Sequence, residues 1–139
     1  MENELKFSGE FLGVEEAKGY LQAFLDSESA SVAGEVTTSV VSGQVIGLEN
    51  LKVFMAAIQT FNKDQQNTDK IEAVRVYYSR SKRKEASKVM RDIILEPVLA
   101  SGMDLHKLFP HQIADDQLIL GKAIPCPNLC SVAFNLDCQ

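Results

Sequence analysis

Apolar and polar positions alternate with two different periods along this chain, and the switches between them outline its elements. From Val14 the apolar residues recur at helical spacing as Val14, Ala17, Leu21 and Phe24, with Tyr20 and Leu25 widening the stripe. This predicts a first helix over roughly 13–26, with Glu15 and Glu16 in the first turn, where the helix dipole favours acidic side chains. Small polar residues over 26–34 predict a loop. Residues 35–46 are rich in Val, Thr and Ile and predict strand, interrupted at Gly43 by a bulge or a break. A second helix follows, its stripe read as Leu48, Leu51, Met55 and Ile58 with Phe54 and Phe61 at the flanks. Residues 62–70 form a polar linker with nothing to bury.

Residues 71–79 give the clearest strand. Val74, Val76 and Tyr78 share one side of the pleat, and Ile71, Ala73, Arg75 and Tyr77 share the other. The pattern predicts a central antiparallel strand with one dry face and one mixed face. A second apolar run, 89–99, follows a basic connection, so the pair reads as a β-hairpin, with Pro97 expected at a strand end or on an edge. Leu105, Leu108 and Phe109 predict one helical turn before Pro110, and Leu118, Ile119, Leu120 and Ile124 fit a strand or a short helix. The fold class expected is α+β: a mainly antiparallel sheet with two principal helices packed on one face, in one domain over residues 1–139.

Composition narrows the function classes. The 139 residues are 45% hydrophobic and 24% charged, ordinary for a globular chain able to bury a core without staples. A net charge of −5 argues against nucleic acid as a whole-surface partner, and no apolar run approaches the ~18 residues of a membrane span. The first residues, Met1-Glu2-Asn3-Glu4-Leu5-Lys6, carry no apolar stretch of the kind a secretory signal needs. Three cysteines, all in the last fourteen residues, do not make a disulfide framework, so the cytoplasm is the expected compartment.

The order of pieces is similar to that of a group of small bacterial proteins typical of Bacteroidetes. The features that carry the resemblance are the Arg75-Val76-Tyr77-Tyr78 strand, the Pro97-Val98 strand end, the turn over 101–105 and the closing Cys126-Pro127-Asn128-Leu129-Cys130 segment. The resemblance covers about residues 14–136. It implies a fold plan and a compartment but no chemistry, and the long basic hairpin tip departs from it.

Four features are candidate sites. Arg75 and Tyr77, with His106 or His111, could bind a carboxylate or phosphate, because a guanidinium is a forked donor and histidine titrates near neutral pH. Arg75 has a structural alternative, an internal cross-strand pair with Asp92 or Glu96, and this is the favoured expectation. Cys126, Cys130 and Cys138 could supply three zinc ligands, with His106 or His111 as a fourth, or could act as a redox dithiol; thiols buried as small apolar groups in a proline-pinned turn are expected instead. Arg80, Lys82, Arg83, Lys84 and Lys88 could grip phosphate or RNA, although a solvated hairpin tip explains them as well.

The favoured function is a non-catalytic interaction or small-ligand-binding module without a cofactor. Its partner would be a small molecule or a protein, a second copy of the chain included. The alternatives are a small enzyme with a pocket near Arg75 and Tyr77, and a zinc or redox protein.

Overall fold

A computed structural model describes residues 5–30, 43–82, 89–108 and 117–125. The architecture is α+β, and the strand pairing is antiparallel. The chain gathers into two compact units, residues 1–9 with 46–123, and residues 10–45 with 124–139.

The second of these units contains α1 (Val14–Ala30), β1 (Gln44–Val45) and β4 (Ile124–Pro125). Helix α1 starts with the Ala17 amide donating to the Gly13 carbonyl at 3.0 Å. It runs four residues past the predicted end, because 27–30 contain neither Gly nor Pro to stop it. Exposed pairs line its surface: Lys18 with Glu15 at 3.4 Å, and Gln22 with Asp26 at 2.9 Å. Of the strand predicted over 35–46, Gln44 and Val45 pair with Pro125 and Ile124, while 31–42 lie outside the described residues.

The other unit contains α2 (Leu48–Lys63), β2 (Ile71–Lys82), β3 (Val89–Leu99) and the single turn α3 (Leu105–Leu108). Helix α2 carries Glu49 in its first turn and Lys63 in its last, both favourable to its dipole. Its buried line is Phe54 and Ile58, with Leu51, Ala57 and Phe61 packed beside them, while Leu48 and Met55 face solvent. This corrects the predicted stripe. Two stripes share Leu51 and Ile58 at helical spacing, and the helix turns inward the one whose aromatic rings bury more apolar area.

The polar linker after α2 is stitched rather than loose. Asn62 donates from Nδ2 to the Ile71 carbonyl at 2.8 Å and accepts the Ile71 amide at 2.7 Å, so one side chain completes the start of β2. Asn67 Nδ2 and Lys70 Nζ donate to the carbonyls of Phe61 and Asp64.

Strands β2 and β3 pair antiparallel from Ile71↔Leu99 to Lys82↔Val89, as the hairpin reading predicts; the tip, 83–88, lies outside the described residues. The register shifts between Ile71 and Ala73, leaving Glu72 as the extra residue of a bulge. The bulge moves Ile71 onto the face of Val74, Val76 and Tyr78, not the opposite face predicted from simple alternation. There Ile71 joins Leu95 and Leu99 against Phe54 and Ile58 of α2, with Leu105 and Leu118 completing the core.

The central strand is β3, not β2. Residues 95–99 are buried on both faces, and Asp92 is buried with them. On the side away from β2, Leu95 exchanges amide–carbonyl bonds with Leu120 at 2.7 and 3.3 Å, and the Leu99 amide reaches Met103 at 2.9 Å. Pro97 falls between these two outward positions. Its missing N–H therefore removes no bond from the β2–β3 ladder, which is how a proline occupies a buried strand instead of a strand end or an edge. The turn after β3 needs Gly102 at φ +90°, where its amide meets the Leu99 carbonyl at 2.8 Å.

In the region that could be strand or helix, Leu120 forms a single bridge to Leu95 and Ile124 lies in β4, while 111–116 lie outside the described residues. Phe54→Ala should lower the unfolding free energy by about 3–5 kcal/mol, whereas Met55→Ala should change it by about 0.5 kcal/mol or less, both read by urea denaturation.

Candidate functional site

Alternation on the hairpin sends Arg75 and Tyr77 to the same face as Glu96 and Val98. The chain then turns at Gly102 and returns along this face, bridging Asp104 to Val98 and starting α3 at Leu105. Five polar side chains lie along this face in two bonded groups. Arg75 Nη1 lies 2.5 Å from Asp104 Oδ1, its Nη2 donates to the Gly102 carbonyl at 3.2 Å, and Tyr77 donates its hydroxyl to Asp104 Oδ2. Arg75 also donates to the Tyr77 oxygen at 3.4 Å and sits 6.0 Å from the ring centroid. The bond with Tyr77 and the Asp104 carboxylate push the Arg75 pKa above its ordinary value, so the cation is held.

The acceptor of Arg75 is thus Asp104, not the expected Asp92 or Glu96. Glu96 stands opposite Arg75 in register, but its Oε1 accepts the His106 amide at 3.1 Å and lies 2.5 Å from His106 Nδ1. Facing a carboxylate acceptor, His106 Nδ1 carries the proton and donates it in a hydrogen bond to Glu96. Glu96 is 5% exposed, so this pairing satisfies a polar group that burial would otherwise penalise. On this face Arg75 and Tyr77 share the Asp104 carboxylate, while His106 bonds separately to Glu96. The Arg75 fork is engaged by Asp104 and Gly102, so an anionic ligand there would compete with a carboxylate already in place.

Asp92, 4% exposed, is committed elsewhere. Its Oδ1 accepts the amides of Ile93 at 2.8 Å and Ala123 at 2.9 Å, and its Oδ2 accepts Lys122 at 2.8 Å. These bonds fasten 121–123 to β3, with Lys122 held at φ +56°, a conformation side chains other than Gly rarely adopt. A Cβ on Gly121 would lie 3.3 Å from the Ile93 carbonyl, so the segment approaches β3 closely. Burial raises the Asp92 pKa, but this is outweighed, and the net shift is below the ordinary carboxylate value. The nearby Ser81 hydroxyl and then the backbone amides of Ile93, Ala123 and Lys122 outweigh the burial.

The opposite face of β2 has a different character. Val74 is 38% exposed, Val76 51% and Tyr78 93%, so the face predicted to be dry is open to solvent. Helix α2 packs at the Ile71 end, and exposure rises along the strand beyond it. The strand's outer edge is also open among the described residues. Val74, Val76 and Tyr78 hold the same parity as Pro97, Leu95 and Ile93, so their backbone groups point away from β3, and no described residue pairs with them.

His111, Cys126, Cys130 and Cys138 lie outside the described residues, as do Arg83, Lys84 and Lys88. Among the described residues no group of three or more His, Cys, Asp or Glu could hold a metal ion, and no helix is long and apolar enough to cross a membrane. No family model, curated protein or solved structure matches the chain.

The open strand was missed because alternation marks which side chains share a face, not whether another element covers it. A signal was present, since the polar residues 62–70 and the basic tip leave only α2 close in sequence to cover β2.

The Asp92 ties make stability acid-sensitive. Their contribution is complete above the ordinary carboxylate range and is lost as pH falls through the lowered folded-state value. Asp92→Asn should cost about 1–3 kcal/mol at pH 7, because one amide acceptor becomes a donor, and should flatten the acid limb of the stability–pH curve measured by denaturation.

Proposed function

We propose that this protein is a non-catalytic interaction module whose working surface is the exposed face and outer edge of β2. The observation that carries this reading is the run Val74, Val76 and Tyr78, apolar and open to water in a strand whose outer backbone groups are unpaired among the described residues. Such an edge is a template for an extended strand: main-chain bonds supply affinity, and alternate side chains supply selectivity. Tyr78 is a suitable anchor, with a large rigid ring and a polar tip.

The Arg75–Asp104–Tyr77 and Glu96–His106 bonds support a structural part in this reading, since they brace the far face of the strand that receives the partner. A cytoplasmic setting accords with the three cysteines lying together near one end of the sequence and not spaced as a framework.

Replacing Tyr78 with a photo-crosslinking phenylalanine analogue should give a covalent adduct in cells, while the same analogue at exposed Lys52 on α2 should not. Adduct from both positions alike, or from neither, would overturn the proposal.

A further inference from the structure

Charge is unevenly placed along the hairpin. Residues 79–91 hold six basic residues and one acidic residue, Glu85, in a chain whose net charge is −5. Within that stretch β2 carries Arg80 and Lys82 on the same face as Val74, Val76 and Tyr78, because alternate positions share one side of the pleat. Resting on the reading of this face as the working surface, we infer that its basic end, Tyr78 with Arg80 and Lys82, binds single-stranded nucleic acid.

The two cations are uncommitted. Elsewhere Lys18 is paired with Glu15, Lys52 with Glu49 and Arg75 with Asp104. Arg80 and Lys82 are exposed and make no ion pair among the described residues. The sheet offers them none on this face: across the ladder stand Pro97, Leu95, Ile93, Arg91 and Val89, while Asp92 and Glu96 lie on the other side. Arg91, exposed and directly across from Arg80, adds a third cation; it has a contact of its own, so the site is assigned without it. Positive charge gathered in this way attracts a polyanion even though the chain as a whole is acidic.

Beside the cations lies an open aromatic ring. Tyr78 is 93% exposed, against 51% for Val76 and 41% for Tyr77. A ring on a sheet face next to a guanidinium and an ammonium group suits a nucleotide: a base stacks on the ring, and the cations meet the phosphates. Same-face positions on a strand repeat about every 6.8 Å. That is close to the length of one nucleotide in a stretched single strand, so Tyr78, Arg80 and Lys82 can follow one run of its backbone.

The ring also decides between polyanions. A duplex keeps its bases stacked inside and an acidic peptide has none, so either would use the cations and leave the ring idle. An anionic lipid surface rewards a broad apolar face, and on β2 only Val74 and Val76, 38% and 51% exposed, adjoin the ring.

The test is fluorescence anisotropy of labelled mixed-sequence strands of about 12 nucleotides, one RNA and one DNA, titrated with the full chain. At least one strand should bind, and its affinity should fall about sevenfold between roughly 50 and 200 mM salt, the dependence of two phosphate contacts. Arg80→Ala with Lys82→Ala should remove most of that dependence. Tyr78→Ala should weaken binding about tenfold with the salt dependence unchanged, and Tyr78→Phe should bind as the wild type does. Lys52→Ala, on the exposed side of α2, should change nothing. All these positions are open to water, so the variants should unfold in urea as the wild type does. No binding of either strand up to about 1 mM protein overturns the inference. So does an affinity indifferent to Tyr78→Ala or to the double alanine variant, and so does equal or tighter binding of a duplex, of phosphatidylserine vesicles or of polyglutamate. The Tyr78 crosslink separates the two readings. A nuclease-sensitive adduct supports nucleic acid at this face. An adduct with protein alone keeps the interaction surface and removes this ligand, and no adduct removes both.

Discussion

A strand buried on both faces must satisfy every polar group it carries, and β3 sets that constraint on the hairpin unit around it. It brings two carboxylates, Asp92 and Glu96, and one proline into the interior. An unpaired buried carboxylate would cost several kcal/mol, more than any single apolar contact returns. The chain after β3 meets this demand in two places. α3 delivers the amide and ring of His106 to Glu96, and residues 122–123 deliver their amides to Asp92. Pro97 faces the side away from β2, where no ladder bond is lost.

Strand β2 inherits its exposure from this arrangement. Because β3 takes the middle place, with β2 on one side and Leu120 on the other, β2 is left at the margin. α2 covers the Ile71 end through Phe54 and Ile58, aided by the bulge that turns Ile71 toward it. Beyond that contact the apolar side chains of β2 meet water. The two faces of the strand then differ in kind. One is braced by Arg75, Tyr77 and Asp104, and the other presents Val74, Val76 and Tyr78, so a rigid backbone carries an apolar surface.

Helix and strand identities were legible in the residue pattern because each rests on local geometry. The 3.6-residue period of 48–61 and the alternation of 71–79 belong to their own segments, and so does the hairpin that joins two such runs. The candidate site was legible in part: Arg75, Tyr77 and His106 are residue types that bond to carboxylates, and all three do. Their partners were not legible. Asp104 lies 29 positions from Arg75 and is delivered by a turn at Gly102, and Glu96 is drawn to His106 although it stands directly across from Arg75.

By itself the sequence determined the α+β class, the positions of α1, α2 and the β2–β3 hairpin, and the need for internal partners around Arg75, because each follows from short-range sterics or from the penalty on unpaired charge. Tertiary structure alone decided which stripe of α2 turns inward, which strand lies in the middle, and which face of β2 stays wet. Those outcomes depend on what arrives from elsewhere in the chain to cover a surface. A one-residue bulge was enough to move Ile71 from one face to the other, and no periodicity in the residues around it records that shift.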